Sequence, residues 1–166
     1  FVVLDEPNSS LDEAGDAALA GAIATLKQLG TTFVAFSPVA RGFLCGDLRD
    51  VSTLAANDIR RAMPRFSADT YAANLPLLDA YQAIAREVAC TPAQLALAWL
   101  LHKAPHIVPI PGTTSIDHLH DDLGALDVKL NAEHMQQLED MIGQHNVVGN
   151  RYNDQANSEV DTEVFA

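Results

Sequence analysis

Two short segments collect the residue types that could cradle a phosphate. Ser37-Pro38-Val39-Ala40-Arg41-Gly42-Phe43-Leu44 follows the run Thr31-Thr32-Phe33-Val34-Ala35, and Ile110-Pro111-Gly112-Thr113-Thr114 follows His106-Ile107-Val108-Pro109. Each is a turn behind a β-branched or aromatic run, which places it in the loop at the C-terminal end of a buried parallel strand. Loops at that end are where α/β proteins hold ligands. A pyrophosphate needs several backbone N–H donors converging where a side chain would block close approach, and glycine or small residues at a strand-to-helix junction supply them. Either turn alone is ordinary punctuation, because Ser-Pro and Pro-Gly mark turns in general. Their occurrence together carries the reading.

Other chemistry-bearing residues carry less. His118 and His120, with Asp121 and Asp122, have the composition of a metal cluster, but an i, i+2 pair at a helix start diverges, so no metal site is expected. Cys45 and Cys90 lack metal-ligand spacing and are expected to be reduced thiols. Trp99 sits on an Ala/Leu-rich segment and is expected in the core, whereas His102, His134 and His145 are expected to face solvent.

The elements that must position the two turns follow from periodicity. Residues 1–6 form an apolar run ending in Asp5-Glu6 before Pro7-Asn8-Ser9-Ser10, as a buried parallel strand entering a turn does. Leu19, Ile23 and Leu26 then mark a helix capped by Asp12 and stopped by Gly30, and a strand over 32–36 completes a right-handed βαβ unit. Residues 45–68, with Arg49, Arg60, Arg61 and Arg65, read as a long polar loop with one helical turn at 57–62. Leu75, Leu78, Tyr81, Ile84 and Val88 predict a helix ending near Ala89, and Thr91-Pro92 caps the next, which runs to Lys103. A strand over 106–110, a short helix over 116–123 and a helix capped by Asn131 with Met135, Leu138 and Met141 or Ile142 inward complete the pattern. The last dozen residues read as a polar surface arm.

The chain has 166 residues and a formal charge of −12, from 22 acidic against 10 basic residues. That balance repels nucleic acid and anionic membrane surfaces. No apolar run approaches the roughly 18–20 residues of a membrane span, and no signal-peptide pattern is present, so a cytoplasmic setting is expected.

Taken in order, the Ser37–Leu44 segment, the stretch Thr91-Pro92-Ala93-Gln94-Leu95-Ala96-Leu97-Ala98-Trp99-Leu100-Leu101, the Ile110–Thr113 segment and Gly149-Asn150-Arg151-Tyr152 resemble the C-terminal half of an aldo-keto reductase. That family is a nicotinamide-dependent (β/α)8 barrel, and the resemblance covers residues 30 to 152. It implies that Ser37, Pro38, Val39, Ala40, Gly42 and Leu44 form the loop over the pyrophosphate. Ile110, Pro111, Gly112, Thr113 and Thr114 would receive the adenosine-phosphate end, with His118 nearby. Asp121 and Asp122 fall where the family usually has a Glu-Asn pair near the adenine.

Two departures limit the inheritance. Members that prefer NADPH often carry a basic residue after Pro-Gly-Thr; here Thr114 and Ser115 stand there, so NADP(H) against NAD(H) stays open and NADPH binding is expected to be weakened. Reduction of a carbonyl by hydride transfer also needs a proton donor at the developing alkoxide. In the family this is a tyrosine supported by lysine, aspartate and histidine from the other half of the barrel. Tyr71, Tyr81 and Tyr152 do not lie in a matching motif, so no catalytic residue is carried over and the chain alone is expected to be inactive.

Residues 1–30 suggest a different parent. Phe1-Val2-Val3-Leu4-Asp5-Glu6-Pro7-Asn8-Ser9-Ser10-Leu11-Asp12 resembles the Walker B strand and D-loop of an ABC-type exporter ATPase, in which Asp5 would hold Mg²⁺ through water and Glu6 would orient the attacking water. The Gly-rich phosphate loop is missing, and without it Asp5 and Glu6 are expected to be polar residues of a turn at the strand end. The expectation is therefore a chimera or fragment: an ATPase-like strand and helix over 1–30, a reductase-like half-barrel over 31–152 and a polar arm over 153–166. The fold is expected to be α/β, a partial TIM barrel of about three parallel strands. Outer strands with unpaired backbone would favour self-association or pairing with a complementary half-barrel. Reductase-like dinucleotide binding, magnesium-dependent ATP binding and a chimera that binds neither remain as alternatives.

Overall fold

The computed structural model describes residues 2–4, 13–143 and 146–150. Strands β1 (Val2–Leu4), β2 (Phe33–Phe36) and β3 (Ile107–Ile110) form a parallel sheet in the order β1-β2-β3, with Val3 opposite Val34 and Val34 opposite Val108. Parallel neighbours need a connection that returns along the sheet. Helix α1 (Glu13–Gln28) returns the chain from β1 to β2, while α2 (Ala68–Glu87) and α3 (Pro92–Lys103) return it from β2 to β3. Helices α4 (Ile116–Gly124) and α5 (Ala132–Met141) follow. This is the expected α/β arrangement of a partial barrel.

Local signals set the helix ends. Gly30 takes φ +65°, and the bonds Thr31 N–H to Leu26 O at 2.9 Å and Gly30 N–H to Lys27 O at 3.2 Å stop α1 in a left-handed cap. Thr91 starts α3 with a reciprocal box: its hydroxyl accepts from Gln94 N–H, and Gln94 Oε1 accepts from Thr91 N–H, both at 3.1 Å. Asn131 starts α5, and His134 closes the box in place of the usual carboxylate or amide. His134 is therefore not solvent-facing as expected: its side chain is 14% exposed and lies 3.5 Å from Glu87. Asp12, Asp5, Glu6, His145, Arg151 and Tyr152, and with them the ATPase-like turn and the terminal arm, lie outside the described residues.

Helix α2 begins at Ala68, earlier than the periodicity from Leu75 predicts. The inward face starts with Tyr71 and Asn74, an aromatic and an amide that hydrophobicity does not group with Leu78, Tyr81 and Ala85, yet all five are buried. Pro76 inside the helix is on the exposed side. Leu78, Tyr81, Ile84, Leu95, Ala96 and Leu138 join α2, α3 and α5 into one core. A second cluster of Phe33, Ala35 and Ile107 packs the sheet against Ile23 and Leu26 of α1 and Leu100 of α3. Trp99 is partly buried against the first cluster, with Lys103 Nζ 5.4 Å from its ring centroid. The opposite face of the sheet leaves Phe36, Val108 and Ile110 exposed.

The stretch between β2 and α2 is an ordered arc, built from short 3-10 turns at Val51–Thr53, Ile59–Ala62 and Pro64–Phe66. Its arginines replace a ladder. Arg61 donates to the carbonyls of Ser52 at 3.1 Å, Ala55 at 2.9 Å and Leu54. Arg49 bonds Asp79 at 2.6 Å and also Gln82, tying the arc to α2. Leu54 and Phe66 are buried beneath it.

Two consequences are measurable. Ala89 ends α2 with φ +56°, in a cap where Cys90 N–H bonds Ala85 O at 2.9 Å. Because a Cβ in that region costs about 1 kcal/mol, Ala89→Gly is expected to raise unfolding stability by about that amount in a urea titration. Hydrogen bonds from the Arg60 side chain and backbone hold the Asp58 carboxyl down from its ordinary 3.8 to about 2. A depressed folded-state value means stabilisation present above the unfolded value and lost as pH falls through the folded one. Acid unfolding between these two values should therefore flatten in Asp58→Asn, and a curve identical to wild type would refute the assignment.

Candidate dinucleotide site

The register of β2 and β3 decides what the two turns can do together. Phe36 is paired with Ile110, so Ser37 and Pro111 leave adjacent strands at the same end of the sheet. The first turn is left-handed at several residues: φ is +52° at Ser37, +51° at Ala40, +54° at Arg41 and +89° at Gly42. Each non-glycine residue in that region costs about 1–2 kcal/mol, so the surroundings must hold the turn. Local bonds do part of this, with Ala40 N–H to Ser37 O at 2.9 Å, Gly42 N–H to Val39 O at 3.0 Å and Leu44 N–H to Val39 O at 3.3 Å. The N–H groups of Ala40, Gly42 and Leu44 are thus used inside the turn. Packing adds to that hold: Val39, Phe43 and Leu44 pack on the helical core, and Phe43 meets Tyr71 edge-on at 5.5 Å.

The second turn is more open. Thr113 Oγ1 accepts from Ser115 N–H at 3.1 Å, and Ser115 Oγ caps α4 by accepting from His118 N–H at 3.3 Å. A Cβ at Gly112 would meet nothing within 4 Å, and its φ lies outside the left-handed region. Neither packing nor backbone geometry within the chain demands glycine there, which leaves room for a ligand to approach the main chain. Gly112, Thr113, Thr114 and His118 are exposed, and Pro111 is half-buried.

Asp121 is bonded within the fold. Its Oδ2 accepts from Thr91 Oγ1 at 2.9 Å and its Oδ1 from Gln94 Nε2 at 3.0 Å, and Gln94 Nε2 also reaches its carbonyl at 3.0 Å. Both carboxylate oxygens fasten α4 to the start of α3, so Asp121 serves as a clasp between the two helices. Asp122 is half-buried, and its carboxyl is raised by burial and by Asp121, with His118 opposing. Cys45 and Cys90 are free; burial and then neighbouring aspartates push both thiols up, which keeps them protonated and poor nucleophiles. His118 and His120 are both exposed on α4, and among the described residues no group of three potential ligands could hold a metal ion.

A cleft of about 110 Å³ adjoins the first turn, lined by Ala40, Phe43 and Leu44 on one side and by Phe66, Tyr71 and Ile142 among others. The segment after α5 lies over α2. Asn74, 4% exposed, donates to Val148 O and accepts from Val148 N–H, both at 2.9 Å, and Arg65 Nε donates to Gly149 O at 3.0 Å. The residue that sequence reasoning misses is Arg60. By composition it belongs to a polar loop, yet its Nη1 donates to Arg41 O at 3.2 Å. Only the Asp58-X-Arg60 spacing hints at an oriented guanidinium.

Gly42 should be the least replaceable residue of the turn. An added Cβ would lie 3.3 Å from Arg60 Nη1, on a backbone that side chains rarely adopt. Gly42→Ala is expected to lower stability by about 1–2 kcal/mol in denaturant titration, and a neutral result would mean that the turn relaxes freely.

Comparison with known proteins sets this geometry in a family. The family model "Aldo/keto reductase family" matches residues 16–142. That match begins inside α1, within the stretch of residues 1–30 that resembles an ATPase, and it lends neither that resemblance nor the chimera any support. An aldo-keto reductase of Strobilurus tenacellus, str7, is 35% identical over 127 residues, which cover 76% of this chain and 38% of that protein. A glycerol dehydrogenase from Gluconobacter oxydans superposes with a TM-score of 0.65 at 18% identity, covering 78% of this chain and 38% of the other, a likeness of fold. A thermostable aldo-keto reductase crystallised with the inhibitor epalrestat has 27% identity and a TM-score of 0.49, covering 78% and 36%. The chain therefore spans less than two-fifths of the length of these relatives. With the family model matched over most of its residues, the chain belongs to the aldo/keto reductase family.

Proposed function

We propose that this chain supplies the dinucleotide-binding part of an NAD(P)H-dependent reductase of aldehydes or ketones. The observation that carries the reading is the Phe36–Ile110 pairing, which sets a held left-handed turn beside a turn whose glycine is open to a ligand. Ser37, Pro38, Val39, Ala40, Gly42 and Leu44 would form the loop over the pyrophosphate. Ile110, Pro111, Gly112, Thr113 and Thr114 would take the adenosine side, with His118 and Asp122 at its edge. A nicotinamide group would supply hydride, while this chain's residues bind and orient it. The pairing of Asp121 with Thr91 and Gln94 gives that residue a supporting part, holding α4 and hence the second turn in place.

No proton donor for the reduced carbonyl is assigned to this chain. Tyr81, a tyrosine buried in the helical core, donates to Pro92 O at 2.7 Å and is raised by burial, so it is not available as an acid. Turnover would then require residues beyond those present, brought by a complementary part of a barrel. The exposed sheet face and the exposed Ile116, Leu119, Leu123 and Leu126 of α4 and its exit support such a partner. A cytoplasmic setting suits a chain of this charge, in which no described helix is long and apolar enough to cross a membrane.

Titration with NADPH and with NADH, followed by cofactor fluorescence in the presence of excess ATP, tests the reading. Saturable binding that ATP does not displace is expected, without aldehyde-dependent oxidation of the cofactor. A folded protein that binds neither dinucleotide would sink the proposal.

A further inference from the structure

The left-handed turn is enclosed by a closed circuit of contacts. Phe43 meets Tyr71 edge-on at 5.5 Å, Tyr71 lies against Phe66 at 5.6 Å, and the Arg60 guanidinium sits over the Phe66 ring at 5.8 Å. Arg60 then closes the circuit by donating from Nη1 to Arg41 O, at 3.2 Å and 19 residues distant in sequence. Its remaining donors are not idle. Nε and Nη2 bond the two oxygens of Asp58 at 3.0 and 2.7 Å, and Asp58 Oδ1 also accepts from Arg60 N–H at 2.9 Å. A planar fork aimed by a carboxylate delivers its third edge to one carbonyl with little freedom, and lysine cannot reproduce that geometry. The carbonyl it grips belongs to Arg41, between Ala40 and Gly42, in the middle of the left-handed run.

We propose that Arg60 is a positioning residue for the dinucleotide loop: aimed by Asp58 and Phe66, it holds the Arg41 carbonyl and thereby keeps the Ser37–Leu44 backbone in its binding conformation. The inference rests on the dinucleotide reading above and adds to it a residue that acts through another. It also gives the arc a purpose, since its last turns bring a guanidinium back onto the loop from which the chain departed. Arg61 provides an internal contrast. It bonds the carbonyls of Ser52, Leu54 and Ala55 and so orders the same arc, with no bond to the turn.

The test compares Arg60→Met, Arg60→Lys and Arg61→Met in the full chain, with thermal unfolding and NADPH and NADH titrations for each. Loss of a charge-assisted bond predicts about tenfold weaker dinucleotide binding in both Arg60 variants, with Arg61→Met binding as wild type even where its unfolding temperature falls as far. Wild-type affinity in Arg60→Lys with weak binding in Arg60→Met would assign the effect to charge and overturn positioning. Equal weakening in Arg61→Met would assign it to the order of the arc and would overturn positioning as well. Unchanged affinity in both Arg60 variants overturns the inference alone, whereas a wild-type chain that binds neither dinucleotide removes the reading on which it rests.

Discussion

Parallel pairing of β2 with β3 is the constraint from which the rest of the molecule follows. Two parallel strands cannot be joined by a tight turn, so the chain leaves β2 and must travel back before β3 can begin. Here it does so through the arc, α2 and α3, and those elements supply the helical core. The same pairing brings Phe36 level with Ile110, so that both turns emerge side by side. A shift of register would separate them while leaving every local signal intact.

The first turn shows how a costly backbone is retained. Three non-glycine residues with positive φ are compensated by side chains on both flanks, with Val39, Phe43 and Leu44 seated in the helical core and Arg60 on the main chain between them. Strain held in this way clusters at ligand sites because a flexible loop would pay its ordering entropy on binding, whereas a held loop has met it during folding. The second turn is unlike the first. It is exposed, short and capped by its own Thr113 and Ser115, and its position depends on α4 being clasped to α3 through Asp121.

Electrostatics around these turns are mixed. Burial above all, and then Asp47, Asp122 and Asp121, raises the Cys45 thiol, with Arg60 opposing, so acidic and basic side chains both lie near the end of the first turn. The chain is strongly acidic throughout, and its arginines are concentrated in the arc. Most are engaged in internal bonds: Arg49 with Asp79, Arg60 with Asp58 and Arg41 O, Arg61 with three carbonyls. Their contribution is architectural, replacing the ladder hydrogen bonds that an irregular segment lacks.

The order of strands and helices was legible from the sequence because each boundary carries a local signal with a local cause. Gly30 permits a left-handed stop, Thr91 with Gln94 closes a capping box, and Pro92 fits a first helical turn. The two candidate turns were legible for the same reason, from small residues behind β-branched runs. The early start of α2 was not, because Tyr71 and Asn74 count as inward only once Leu48 and Val148 are there to bond them. Nor was the clasp at Asp121 or the reach of Arg60 to Arg41, since each joins residues distant along the chain whose separation depends on how several helices pack. The sequence by itself determined the elements, the turns and the chemistry they could offer, all matters of neighbouring residues. Only the tertiary structure decided which carboxylate is committed to the scaffold and which guanidinium holds the loop, because a hydrogen bond depends on direction and distance in space.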